Sequence, residues 1–303
     1  MNRDHDHHHH HAPPDFNRAF FVGVVLNVVF VVVEVVFGLL SNSLALLTDA
    51  GHNLSDVLGL VLAWGAAVLA QKTPSLRRTY GYSRATILAS LASGLLLLAA
   101  VGAIAWEAVG RLFAPVQPAG LTIMIVAAVG VVINTATALM FVRGKDHDLN
   151  VRGAFLHMAA DAAVSLGVVI SGALILWQGW AWVDPVISLV IAGVILWSTW
   201  GLLRDSLNLA VDAVPSGIDP EAVRAFLDAK PGVVGLHDLH IWAMSTTDSA
   251  LTVHLVMAPL PDSDRFLNEI AAELKARFGI QHATIQLERG EDGVHCPQHH
   301  CAH

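Results

Sequence analysis

Charge is scarce in this chain. Of its 303 residues, 14% are charged and 54% are hydrophobic. A soluble domain usually carries about 25% charged residues, so an ordinary soluble fold is excluded. Intrinsic disorder is excluded as well, because it needs low hydrophobicity and high net charge. Basic residues are scarcer than acidic ones, with Lys+Arg 17 against Asp+Glu 25 and a net charge of −8. No basic stripe exists to grip phosphates, so nucleic acid is not an expected partner. Cysteine is nearly missing: Cys296 and Cys301 stand together near the C-terminal end and make no disulfide framework. The N-terminus also lacks the basic-then-apolar order of a cleaved signal peptide, so the first apolar run is expected to be kept.

What is abundant is long apolar sequence, confined to the first two thirds. Six spans can be drawn, at about residues 19–40, 44–70, 86–109, 121–142, 153–177 and 185–203. Each is long enough to cross ~30 Å of hydrocarbon at ~1.5 Å per residue. Lys72, Arg77, Arg78 and Arg84 follow span two, and Arg143, Lys145 and Arg152 follow span four, whereas the alternate loops hold only Arg111. Basic loops face the cytoplasm, which places both termini there. From about Ser206 the composition becomes that of a small soluble domain. Asp219-Pro220-Glu221 reads as a capped helix start. Strands are predicted at 233–242, 250–257 and 283–287, with a helix at 262–278. The order α-β-β-α-β over ~80 residues points to an α+β layer domain. The expected division is residues 1–17, a His-rich tail; 18–205, the membrane domain; 206–290, the soluble α+β domain; and 291–303, a Cys/His-rich tail.

A few ionisable residues sit inside the spans. Span two carries His52 and Asp56 and span five carries His157 and Asp161, each as H-x-x-x-D. Residues four apart share a helix face. Together the two faces offer two nitrogens and two oxygens, a set suited to tetrahedral Zn²⁺. Counting along the spans puts His52 ~12 Å and Asp56 ~18 Å below the outer edge, with His157 ~8 Å and Asp161 ~14 Å above the inner edge. All four therefore fall in the middle of the slab. A carboxylate there costs ~2.5–3.5 kcal/mol on insertion scales, which a bound cation would justify. A single intramembrane His is, by contrast, commonly just hydrogen-bonded to a neighbouring helix. Asp49 either guides an ion outward or serves as a structural hydrogen-bonding group. Glu34 and Asn134 either line the same cavity or bond neighbours. Asp184 and Asp205 read as interfacial helix-end residues.

The run Ser43–Asp56, the segment Arg78-Thr-Tyr-Gly-Tyr82, the run Asn150–Asp161 and His237-Asp-Leu-His-Ile-Trp242 resemble the cation diffusion facilitators, above all their bacterial zinc exporters. The resemblance covers about residues 18–288. It implies six transmembrane helices, a cytoplasmic ferredoxin-like domain, a homodimer in the bacterial inner membrane, and Zn²⁺/H⁺ antiport with Cd²⁺ or Co²⁺ as further cargo. It places the transport site on His52, Asp56, His157 and Asp161, and cytoplasmic metal ligands on His237, His254 and Glu288. Gln286 stands where some members have a further His; His240 and His282 are read as structural. Cys296 and Cys301 correspond in general position to a C-terminal cysteine pair of vertebrate relatives, at wider spacing, and in a reducing compartment they favour metal over a disulfide. The His7–His11 run reads as a metal-capture tail. Two other readings are a membrane metalloenzyme, against which stands the lack of H-E-x-x-H, and a metal sensor that does not transport.

Overall fold

The structure, a computed structural model, describes residues 14–142, 149–259 and 263–289. The tail residues His7–His11, Cys296 and Cys301 lie outside the described residues. Six long helices come first: α1 (Pro14–Leu40), α2 (Leu44–Ala70), α3 (Ala85–Phe113), α4 (Gly120–Phe141), α5 (Leu149–Gln178) and α6 (Val183–Ala210). Among the described residues five helices are long and apolar enough to cross a membrane, and the apolar stretch Val25–Leu40 of α1 adds a shorter sixth. After them come α7 (Pro220–Asp228), β1 (Val233–Ala243), β2 (Ser249–Met257), α8 (Ser263–Phe278) and β3 (Ile280–Arg289). The chain divides into two compact units, one holding residues up to Leu58 and Leu96–Ser198, the other Gly59–Leu95 and the chain from Thr199.

The first unit packs around Phe30, Leu46, Ile123, Val168 and Ile195, all buried. Its closest backbone approach is between α4 and α5. A Cβ on Gly120 would stand 2.8 Å from the Gly172 carbonyl oxygen, and one on Gly172 would stand 2.7 Å from the Met124 nitrogen. Without a hydrophobic drive between helices in lipid, small residues of this kind let the backbones meet. The start of α2 is held from a distance. Ser43 Oγ donates to Asp184 Oδ1 at 2.6 Å, and the Leu44 and Ala45 amides donate to the same carboxylate at 2.7 and 3.3 Å. Asp184 therefore satisfies orphan N–H groups of another helix. It lies at a helix end, as expected from sequence, and its side chain is buried against the start of α2.

In the second unit α6 runs on to Ala210, past the change of composition near residue 206, and Ser206 Oγ shares a 2.7 Å hydrogen bond with Ser90 Oγ of α3. Asp219 caps α7, accepting from the Glu221 and Ala222 amides at 3.0 and 3.3 Å, with Pro220 at the first helical position. This is the start predicted from sequence. The sheet has the order β1-β2-β3, with β1 and β2 antiparallel and β2 and β3 parallel. Leu251, Val253, Leu255 and Met257 of β2 face a core with Leu227, Ile270 and Leu274, and Thr252, His254 and Val256 alternate onto the opposite face. Strand β3 begins at Ile280 and ends at Arg289, longer at both ends than its apolar run.

Candidate metal sites

Helical spacing places His52 one turn above Asp56 on α2, and His157 one turn before Asp161 on α5. The structure brings the four together in the first unit. His52 Nε2 is 3.8 Å from Asp56 Oδ2 and 3.4 Å from Asp161 Oδ1. His157 Nε2 is 3.2 Å from Asp56 Oδ2 and 3.6 Å from Asp161 Oδ2. Each imidazole thus stands between two carboxylates and each carboxylate between two imidazoles. The rings meet edge to face with centroids 6.0 Å apart. Chemically this is a closed set of two borderline nitrogen donors and two hard oxygen donors, able to exchange a divalent ion against protons on the same atoms.

The four are not equally accessible. The side chains of His52 and Asp161 are 14% and 2% exposed, those of His157 and Asp56 43% and 36%. The site is open on the side of Asp56 and His157. Beyond the buried pair lies a polar network. Ser165 Oγ donates to Asp49 Oδ2 at 2.9 Å, and Asn53 Nδ2 donates to Glu34 Oε2 at 3.2 Å. Glu34, Asp49 and Ser165 are fully buried. Sequence left two roles open for Asp49 and Glu34; the structure gives both hydrogen-bond partners on a neighbouring helix, directly beside the quartet. Asn134 is fully buried on α4.

The second cluster belongs to the outer face of the sheet. His237 on β1 pairs with His254 on β2, and Glu288 on β3 pairs with the next outward residue of β2, Val256. The three strands thereby deliver His237, His254 and Glu288 to one place, where one ligand atom from each lies within 4.8 Å of the others. His237 Nε2 is 3.0 Å from Glu288 Oε2, and His254 Nδ1 is 2.9 Å from Glu288 Oε1. Burial raises the Glu288 carboxyl, but the hydrogen bond from His237 and the charges of His237 and His254 outweigh it and hold the group below its ordinary value. Gln286 donates to Glu288 Oε1 at 2.9 Å, so the residue found in place of a further His steadies the acid. His282 stacks edge-on against Tyr80, with centroids 5.7 Å apart, away from the triad.

Asp238 is the residue of this cluster that sequence reasoning missed. Its carboxylate reaches both His240 and His254. The signal was present as the odd spacing of H-D-L-H. Residues three apart on a regular strand face opposite ways, yet His237 and His240 pair opposite His254 and Thr252, which share a face.

Comparison with known proteins bears on both halves. Residues 20–209 match the family described as cation efflux transmembrane domain, and residues 215–290 match that described as cation efflux protein, cytoplasmic domain. The cation efflux system protein CzcD of Alcaligenes sp. (strain CT14) is 38% identical over 94% of this chain and 89% of its own length. A cadmium, cobalt and zinc/H⁺-K⁺ antiporter of Bacillus subtilis (strain 168) is 33% identical over 89% of this chain and 88% of its own. The zinc transporter ZitB of Escherichia coli (strain K12) is 35% identical over 95% of this chain and 93% of its own.

Proposed function

The chain belongs to the cation efflux family, an integral membrane transporter of metal cations and not an enzyme, and we propose that it exports Zn²⁺ from the cytoplasm in exchange for protons. The observation that carries this reading is the alternating ring of His52, Asp56, His157 and Asp161. Two imidazoles with two carboxylates favour Zn²⁺ over harder Mn²⁺, and leave Cd²⁺ and Co²⁺ as further cargo. The relatives named for zinc transport, and for cadmium, cobalt and zinc exchange against H⁺ and K⁺, support the same cargo and the same exchange.

Both termini and the small domain are cytoplasmic in this reading, in the bacterial inner membrane, and two copies pair. Spans two and five then carry Asp56 and His157 on the cytoplasmic side of the quartet. That is the more exposed side, so the ring is poised to load from within, while Glu34, Asp49 and Ser165 close the outer side. Zn²⁺ binds to neutral imidazoles and ionised carboxylates, so loading releases protons, and protons arriving from outside compete for the same atoms and expel the metal. The ring as it stands suits the metal-free form, because Nε2–H of each imidazole can donate to the carboxylates that flank it. His237, His254 and Glu288 hold a regulatory Zn²⁺ on the cytoplasmic domain. Flux into proteoliposomes is the test, with Zn²⁺, Cd²⁺, Co²⁺ and Mn²⁺ compared at a fixed pH gradient. Zn²⁺ movement that tracks the gradient is expected; flux indifferent to the gradient would rule out proton exchange.

A further inference from the structure

We propose that Asp238 is a positioning residue of the cytoplasmic metal site, the outer carboxylate that fixes the ring of His254. The inference rests on the reading that His237, His254 and Glu288 hold metal.

It starts from the ladder. Along β1, His237 pairs with His254 and His240 with Thr252, so Asp238 and Leu239 together oppose the single residue Val253. One extra residue in one strand is a β-bulge. In an unbroken ladder residue 238 would oppose Val253, whose side chain faces the core. Asp238 instead adopts φ +54°, the left-handed region that Asp and Asn tolerate better than other side chains. The bulge and that backbone bring the carboxylate to the face that carries the triad. Asp238 Oδ1 lies 3.1 Å from His240 Nε2, and Oδ2 lies 3.6 Å from His254 Nε2.

The two nitrogens of His254 therefore face different partners. Nδ1 is on the Glu288 side at 2.9 Å and Nε2 on the Asp238 side. A ring that gives one nitrogen to a metal carries its proton on the other, and a carboxylate at that N–H fixes the tautomer and raises the basicity of the ligating nitrogen. At 3.6 Å the contact is electrostatic rather than a formed hydrogen bond; metal at Nδ1 leaves the proton on Nε2, aimed at Asp238. His240, hydrogen-bonded from the far side, holds the carboxylate in place. This gives the second His of H-D-L-H a purpose although it stands outside the triad.

Zn²⁺ titration calorimetry on the purified full chain tests the proposal, with wild type, Glu288→Ala, Asp238→Asn and Asp238→Gly compared. Glu288→Ala identifies the cytoplasmic site by the binding class it removes. Asp238→Asn keeps shape and tolerates the same φ, so the metal-free unfolding midpoint is expected to stay put while affinity in that class falls by about 10- to 100-fold. Asp238→Gly takes up the φ without strain and serves if the Asn variant is destabilised. A class that Glu288→Ala removes but both Asp238 variants leave within twofold overturns the inference. A titration that Glu288→Ala leaves unchanged overturns the triad reading, and the inference with it.

Discussion

His157 Nε2 lies nearer to Asp56 of the other helix, at 3.2 Å, than to Asp161 one turn along its own, at 3.6 Å. His52 shows the same order, 3.4 Å to Asp161 against 3.8 Å to Asp56. The H-x-x-x-D spacing puts each pair on a common face, but the tighter partnerships run between helices. The separation of α2 and α5 therefore sets the size of the site, and a shift of either helix alters all four distances to a bound ion.

Replacing one nitrogen by oxygen should move cargo preference. His52→Asp leaves one imidazole and three carboxylates, a harder set. The ratio of Zn²⁺ to Mn²⁺ flux in proteoliposomes is expected to fall by about tenfold, or ~1.4 kcal/mol. An unchanged ratio with retained flux would argue against direct ligation by His52.

The cap that Asp184 supplies to α2 should be visible in stability. Asp184→Ala leaves the Ser43 hydroxyl and the Leu44 and Ala45 amides without their acceptor. A loss of about 2 kcal/mol or more is expected from thermal unfolding in detergent. Ser43→Ala removes one donor to Asp184 and the acceptor of the Leu46 amide but leaves the Leu44 and Ala45 amides paired with the carboxylate, and it should cost less.

Gly172→Ala tests the α4–α5 contact. The added methyl would meet backbone atoms, the Met124 nitrogen at 2.7 Å and the Gly120 oxygen at 2.9 Å. Backbone cannot rotate out of the way as a side chain can. Destabilisation of about 1–3 kcal/mol is expected, measured by the same unfolding assay. Gly167→Ala on the same helix, where a Cβ meets nothing within 4 Å, is the control.

The metal-free cytoplasmic domain should be acid-sensitive through Glu288. Its folded-state value lies below the ordinary 4.5, so folding favours the ionised form. The resulting stability is fully present above the ordinary value and is lost as pH falls through the folded-state value. Unfolding of chelator-treated protein should therefore become easier with acid below about pH 4.5, and Glu288→Gln should flatten that slope. An equal slope in both proteins would assign the acid response elsewhere.

Much of this was legible in the sequence because it is local. Apolar runs mark α1 to α6, the Asp219-Pro220 start marks α7, and four-residue spacing marks both faces of the quartet. The parts that escaped depend on residues distant in the chain or on broken periodicity. Asp184 looks like a solvated helix end until Ser43, 141 positions away, is found bonded to it. Arg204, Asp205 and Ser206 interrupt the apolar run of α6, so the apolar signal stops before the helix does at Ala210. The bulge at Asp238 carries no Gly or Pro; the three-residue spacing of the histidines in H-D-L-H is its one sequence trace, and the pairing with β2 reveals which face the acid serves. Strand β3 runs beyond its apolar stretch through parallel pairing with β2 as far as Arg289, while Ile280 anchors its first residue in the core.

Uptake of radioactive zinc by inverted membrane vesicles bears most directly on the central claim that His52, Asp56, His157 and Asp161 form the route. With Asp161→Ala present in the membrane at wild-type levels, uptake is expected to fall to that of vesicles lacking the protein. Uptake at the wild-type rate from the same vesicles would contradict the account.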